Sequence, residues 1–140
     1  MRSIFFDANI IIDWLNKDSA QNELCTSCIA VAVSLYKKPF VSPTTVAITF
    51  YTVSKKVKYK QHPKNILKQA FSFFNITEEN EEMVRLAFES SYADLEDAIQ
   101  YYSAIGSKAD AIITFNVHDY LKSKIPIMHP AEFLQLHQVS

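Results

Sequence analysis

The chain has 140 residues, 49% of them apolar and 21% charged, with a formal net charge of −1. That length and balance predict one folded domain, 1–140, with a sizeable core, and they exclude a disordered chain. They also exclude whole-molecule attraction to nucleic acid, so such binding would need a local basic patch. No apolar run approaches the roughly 18–20 residues of a membrane span.

Residues 2–7 read as a buried strand and 9–16 as a helix, so Asp7 is expected where strand gives way to helix. In open α/β sheets ligands gather at such strand ends. With a strand beginning almost at the first methionine no signal peptide is visible, and the cytoplasm is the expected location. A long helix follows over about 20–37. Within it Cys25 and Cys28 form a Cys-x-x-Cys, read as two small core residues, because no second Cys pair or paired His completes a zinc site.

Residues 39–42 read as a short strand, after which Ser42 caps and Pro43 opens a helix running to about Val57. A helix over 63–73, a strand over 74–77 and a helix with Glu78, Glu79, Glu81 and Glu82 in its opening turns come next. Asp94 caps a helix over 95–105, and Gly106 is placed to close it in the left-handed conformation. Strands over 111–114 and 126–128 and a last helix over 131–137 complete the chain. Strands alternating with helices predict an α/β fold, a three-layer α/β/α sandwich with a mainly parallel central sheet. Gly106 is the single glycine, which excludes a P-loop or a dinucleotide-binding loop.

Three acidic constellations fall near strand ends in this scheme. Asp7 follows the first strand. Asp94 and Asp97 open the helix over 95–105, where they serve equally as cap and first-turn anion. Asn116 and Asp119 follow the fourth strand, where an ordinary Asn/Asp turn is the other reading. Asp7, Asp97 and Asp119 are expected along one sheet edge. Two carboxylates about 4 Å apart repel by roughly 4 kcal/mol at an effective dielectric near 20, so a cluster requires a cation. Oxygen-only ligands suit Mg²⁺ or Mn²⁺ and not zinc. Such an ion activates water and stabilises an in-line phosphodiester displacement.

At these residues the chain resembles the PIN domain family, the nuclease fold of VapC-type toxins and related ribonucleases. The resemblance rests on Phe6-Asp7-Ala8-Asn9-Ile10-Ile11-Ile12-Asp13, on Val41-Ser42-Pro43-Thr44-Thr45, on Asp94-Leu95-Glu96-Asp97-Ala98-Ile99-Gln100, and on the run from Ala109 to Tyr120. It implies an acidic Mg²⁺/Mn²⁺ pocket, cleavage of single-stranded RNA, pairing with a small antitoxin, and frequent homodimers. Asp7 and Asp97 match the first and central metal-binding aspartates, and Asn116 and Asp119 fall in the final motif. Catalysis is therefore expected from Asp7, Asp97 and Asp119, with Asn116 and Asp94 as additional metal ligands. One departure stands out: Ile48 occupies the place of the family's third-helix glutamate, and isoleucine binds no metal. Asp94 or Glu96 are the expected compensating groups. The alternative is a PIN-fold module that binds RNA or protein with catalysis weakened or lost through Ile48.

The segment 55–64 carries Lys55, Lys56, Lys58, Lys60 and Lys64 with Tyr59. Lysines neutralise phosphates and an aromatic ring stacks on an unpaired base, so Lys55, Lys56, Lys58, Tyr59 and Lys60 are candidate RNA contacts. A solvated helix end is the other reading. His118 lies near the acidic edge and is read as a surface residue. Phe50, Tyr51, Ile66, Phe71 and Phe73 are core or interface.

Overall fold

The structure is a computed structural model of the chain and describes residues 3–36, 38–56, 62–120 and 122–137. Lys58, Tyr59 and Lys60 of the expected basic segment lie outside the described residues. Five strands, β1 (Ile4–Phe6), β2 (Phe40–Val41), β3 (Asn75–Ile76), β4 (Ala111–Ile113) and β5 (Ile127–Met128), form one sheet in the order β3-β2-β1-β4-β5. Every ladder is parallel. The helices are α1 (Ala8–Trp14), α2 (Asn22–Leu35), α3 (Pro43–Lys56), α4 (Pro63–Phe71), α5 (Glu81–Glu89), α6 (Leu95–Gly106) and α7 (Pro130–Leu136).

The central strands are apolar throughout because they are covered on both faces. In β1, Ile4 and Phe6 join the core beneath α1, α2 and α7, with Ile10, Cys28, Ile29 and Phe133. Phe5 points the other way, into a second core with Tyr101, Ala104, Ile112 and Tyr120. The period of two along a strand separates these layers, and burying each of those large side chains contributes about 1.5–3 kcal/mol. Cys25 and Cys28 are buried free thiols in the first core, and burial pushes both up to about 12. They behave there as small hydrophobes.

The sheet order reverses direction beside β1: β2 and β3 extend to one side, β4 and β5 to the other. Ligands of open α/β sheets bind at such a switch point, outside the strands' carboxyl ends. The Asp7 N–H donates to the Ile113 carbonyl at 3.0 Å, which ties the two strand ends together there.

Three local expectations need correction. Helix α5 starts at Glu81, because Asn80 caps it by accepting from the Met83 N–H at 3.0 Å. Glu78 and Glu79 therefore precede the helix. Glu79 reaches instead to the start of α3, accepting from the Thr44 N–H at 2.7 Å and the Thr44 hydroxyl at 2.8 Å. It thus complements a different helix dipole from the one expected. Gly106 is the last residue of α6 and does not have positive φ; the left-handed residue is Lys108, with φ 59°. A glycine suits position 106 because a Cβ there would run into the terminal methyl of Met83, so its small size lets α5 and α6 approach.

Candidate active site at the switch point

Asp7 sits in the turn from β1 into α1 with only 4% of its surface exposed. Its Oδ1 accepts from Gln100 Nε2 at 3.0 Å. Its Oδ2 accepts from the Thr114 hydroxyl at 2.8 Å, the Tyr120 hydroxyl at 3.1 Å and Asn9 Nδ2 at 3.4 Å. Burial raises the carboxyl above its ordinary range, and the bonds from Thr114, Tyr120, the Ala8 backbone and Gln100 oppose that rise. Three of the four side-chain donors converge on Oδ2 and one meets Oδ1, so both oxygens are held and Oδ2 is crowded.

The donors are themselves held. Gln100 is fully buried, and its Oε1 accepts from the Thr45 hydroxyl at 2.9 Å. The Thr45 hydroxyl accepts from Ser42 Oγ at 3.3 Å, and the Thr45 carbonyl accepts from Thr49 Oγ1 at 2.6 Å. The hydroxyl and carboxamide donors of this chain, from Ser42 through Thr45 and Gln100, all point toward Asp7. On the opposite side Thr114 Oγ1 accepts from Asn9 Nδ2 at 3.1 Å and from the Asn116 N–H at 3.0 Å. Asn116 itself is exposed and meets this network through its backbone. Ile48 is half-buried on α3, next to Thr49.

Asp94, Asp97 and Asp119 share a cavity of about 500 Å³ with Ser91, Tyr92, Ala93, His118 and Lys122. Asp94 caps α6 by accepting from the Asp97 N–H at 2.9 Å, so its cap role and its place at the cavity coexist. Asp119 stands on the 3-10 turn Val117–Tyr120, next to the tyrosine that bonds Asp7. Asp97 is half-buried, and its carboxyl is pushed up to about 7 by burial and then by Asp7, Asp94, Asp119 and Glu96. Glu96 is also raised, by burial and by Asp94 and Asp7. These shifts record a concentration of negative charge around Asp97.

The donor chemistry suits a hard divalent cation, since every group is a carboxylate oxygen. Mg²⁺ commonly takes one or two carboxylates and keeps several waters, which Asp97 and Asp119 match. Among the described residues, however, no three His, Cys, Asp or Glu side chains are grouped so as to hold one ion. Asp7 would join such an ion only by releasing one of its donors. Lys55 is exposed near the end of α3.

Gln100, Thr114, Tyr120 and Asn9 had no assigned part in the sequence reading. Gln100 carried one signal, an amide set among Ala98, Ile99, Tyr101 and Ala104 on an otherwise apolar helix face. Tyr92 and Lys122 carried none.

The PIN domain family's sequence profile matches residues 3–118, and the chain belongs to that family. No curated protein matches it by sequence. Among solved structures it is similar to FitAB bound to the IR36 DNA fragment, at 16% identity and a TM-score of 0.70, covering 91% of this chain and 94% of that one. A toxin–antitoxin complex from Klebsiella pneumoniae matches at 22% identity and a TM-score of 0.65, with 91% and 97% covered. VapC20 from Mycobacterium tuberculosis, a sarcin–ricin loop cleaving toxin, matches at 12% identity and a TM-score of 0.62, with 78% and 86% covered. At these identities the likeness is one of fold.

Proposed function

We propose that the chain is a metal-dependent endoribonuclease acting on single-stranded RNA, as the toxin of a toxin–antitoxin pair. The observation that carries this reading is the gathering of Asp94, Asp97 and Asp119 on one cavity, beside the 3-10 turn whose Tyr120 bonds Asp7. Asp97 and Asp119 would hold Mg²⁺ or Mn²⁺, with Asp7 joining on release of a donor and with Asp94 and Asn116 contributing through water. When bound, such an ion supplies charge neutralisation at the phosphate and activation of water. Asp7, fixed by four side-chain donors, gives the site a rigidly oriented carboxyl. Lys55, Lys56, Lys58, Tyr59 and Lys60 would add contacts along the strand of RNA.

One of the similar structures is named as a toxin–antitoxin complex and another as a sarcin–ricin loop cleaving toxin, which supports an antitoxin partner and cleavage as the activity. An apolar groove of about 660 Å³ lined by Val46, Phe50, Leu67 and Phe71 offers a surface for the antitoxin or for a homodimer. Among the described residues no helix is long and apolar enough to cross a membrane. An RNA substrate would put the reaction in the cytoplasm.

Incubating the purified protein with unstructured RNA in Mg²⁺, Mn²⁺ or EDTA tests the reading. Cleavage is expected with either ion, to be abolished by EDTA and by Asp97→Asn or Asp119→Asn. Cleavage that survives both substitutions would defeat the assignment. A second reading, a binding module with weakened catalysis, is favoured by Ile48 and by the full set of bonds on Asp7.

A further inference from the structure

The cavity that holds Asp94, Asp97 and Asp119 is completed by Tyr92, His118 and Lys122. A phosphodiester approaching three carboxylates is repelled unless a cation meets it. Lys122 is the cationic side chain of that lining, and among the described residues it forms no ion pair with any of the three acids. Its ammonium therefore remains available to a phosphate.

Tyr92 presents a different chemistry. Tyr92 lines the cavity, and its ring is braced by Tyr101 and Tyr120, with centroid distances of 5.2 Å and 6.0 Å. Its hydroxyl is buried and has no hydrogen-bond partner. With the hydroxyl shut away, the ring is the part of this side chain left for a ligand to meet. Bracing by two other rings removes the freedom that a base would otherwise have to freeze on stacking. The volume of about 500 Å³ lies within the roughly 300–1,000 Å³ of small-ligand clefts.

We propose that this cavity is a one-nucleotide subsite for single-stranded RNA, with the base stacked on Tyr92 and the adjoining phosphate held by Lys122 and His118. It rests on the nuclease reading and adds to it which residues grip the nucleotide beside the acids. An aromatic platform next to a cation selects an unpaired base, because a base within a duplex has no free face to offer.

Fluorescence anisotropy with a labelled, unstructured RNA octamer, its intactness checked by electrophoresis, tests the subsite. Lys122→Ala is expected to weaken binding and to make the slope of log affinity against log salt shallower by about 0.7, the share of one phosphate contact on a single strand. Tyr92→Leu, which keeps bulk but lacks a π face, is expected to bind about 5- to 150-fold more weakly with its salt slope unchanged. Tyr92→Phe is expected to restore most of that loss. Circular dichroism confirms that each variant is folded, and the Lys122→Ala slope decides the matter should Tyr92→Leu not fold. If the parent protein binds RNA while both variants match it within roughly twofold and in slope, the subsite is overturned and the nuclease reading stands. If the parent protein neither binds nor cleaves single-stranded RNA, the nuclease reading falls and the subsite with it.

Discussion

Gln100 donates from Nε2 to Asp7 Oδ1 at 3.0 Å while its Oε1 accepts from the Thr45 hydroxyl at 2.9 Å. A single buried carboxamide thereby joins α6 and α3 to the turn after β1. Replacing it with leucine leaves an acceptor on Asp7 and a donor on Thr45 without partners inside the protein. Each such orphan costs about 1–3 kcal/mol, so Gln100→Leu is expected to lower the unfolding free energy by about 2–6 kcal/mol. Urea unfolding measures this. A loss under about 0.5 kcal/mol, the size of an unremarkable surface change, would show that the bond does not organise the site.

Asp7 accepts four side-chain hydrogen bonds while nearly excluded from solvent. Asp7→Asn removes a buried charge but also presents an N–H₂ group toward donors, and these effects oppose each other. The fold is expected to survive with a change of about 1 kcal/mol or less, whereas Asp7→Ala strands all four donors and costs about 3–5 kcal/mol. RNA cleavage is expected to be lost in both. Full metal-dependent cleavage by Asp7→Asn would remove Asp7 from the active site.

The raised carboxyls of Asp7 and Asp97 fix the sign of a pH effect. A carboxyl with a folded pKa above its unfolded value binds its proton more tightly when folded. The contribution of Asp97 is therefore full below its ordinary value of 3.8 and is lost as pH rises through about 7. In metal-free buffer the protein is expected to lose unfolding free energy between about pH 4 and 7 from this source, and Asp97→Asn is expected to flatten that trend. Millimolar Mg²⁺ should have its largest stabilising effect at the upper end. Denaturation midpoints at pH 5 and 7.5, with and without Mg²⁺, check it; an identical trend in Asp97→Asn contradicts the charge crowding.

Ile48 separates the two functional readings. It lies half-buried on α3, one residue from Thr49, which bonds the Thr45 carbonyl. Ile48→Glu is expected to raise the cleavage rate and lower the Mg²⁺ requirement by about 10-fold or more, the scale on which supporting metal contacts act. Isothermal titration with Mg²⁺ alongside a cleavage assay distinguishes the cases. No change in either would show that the existing carboxylates suffice.

All five strands and the parallel sheet were legible in the sequence: β1 and β4 are apolar runs because they are buried on both faces, and turn residues set off the shorter β2, β3 and β5. The helix starts at Pro43 and Leu95 were legible too, since Ser42 and Asp94 satisfy backbone N–H groups a few residues away. The start of α5 was misjudged: acidic residues suit any helix N-terminus, and only the packing assigns Glu79 to Thr44 on α3. The partners of Asp7 were beyond sequence reasoning for a related cause. Gln100, Thr114 and Tyr120 stand 93, 107 and 113 positions away along the chain, and no local pattern encodes which distant polar groups will meet. Local chemistry alone thus decided where the strands form and where Ser42 and Asp94 cap. Which carboxylate is enclosed, and which face the open cavity, was decided by the parallel pairing of β1 with β4 and the packing of α6 over them, because burial and hydrogen bonding are properties of the assembled layers.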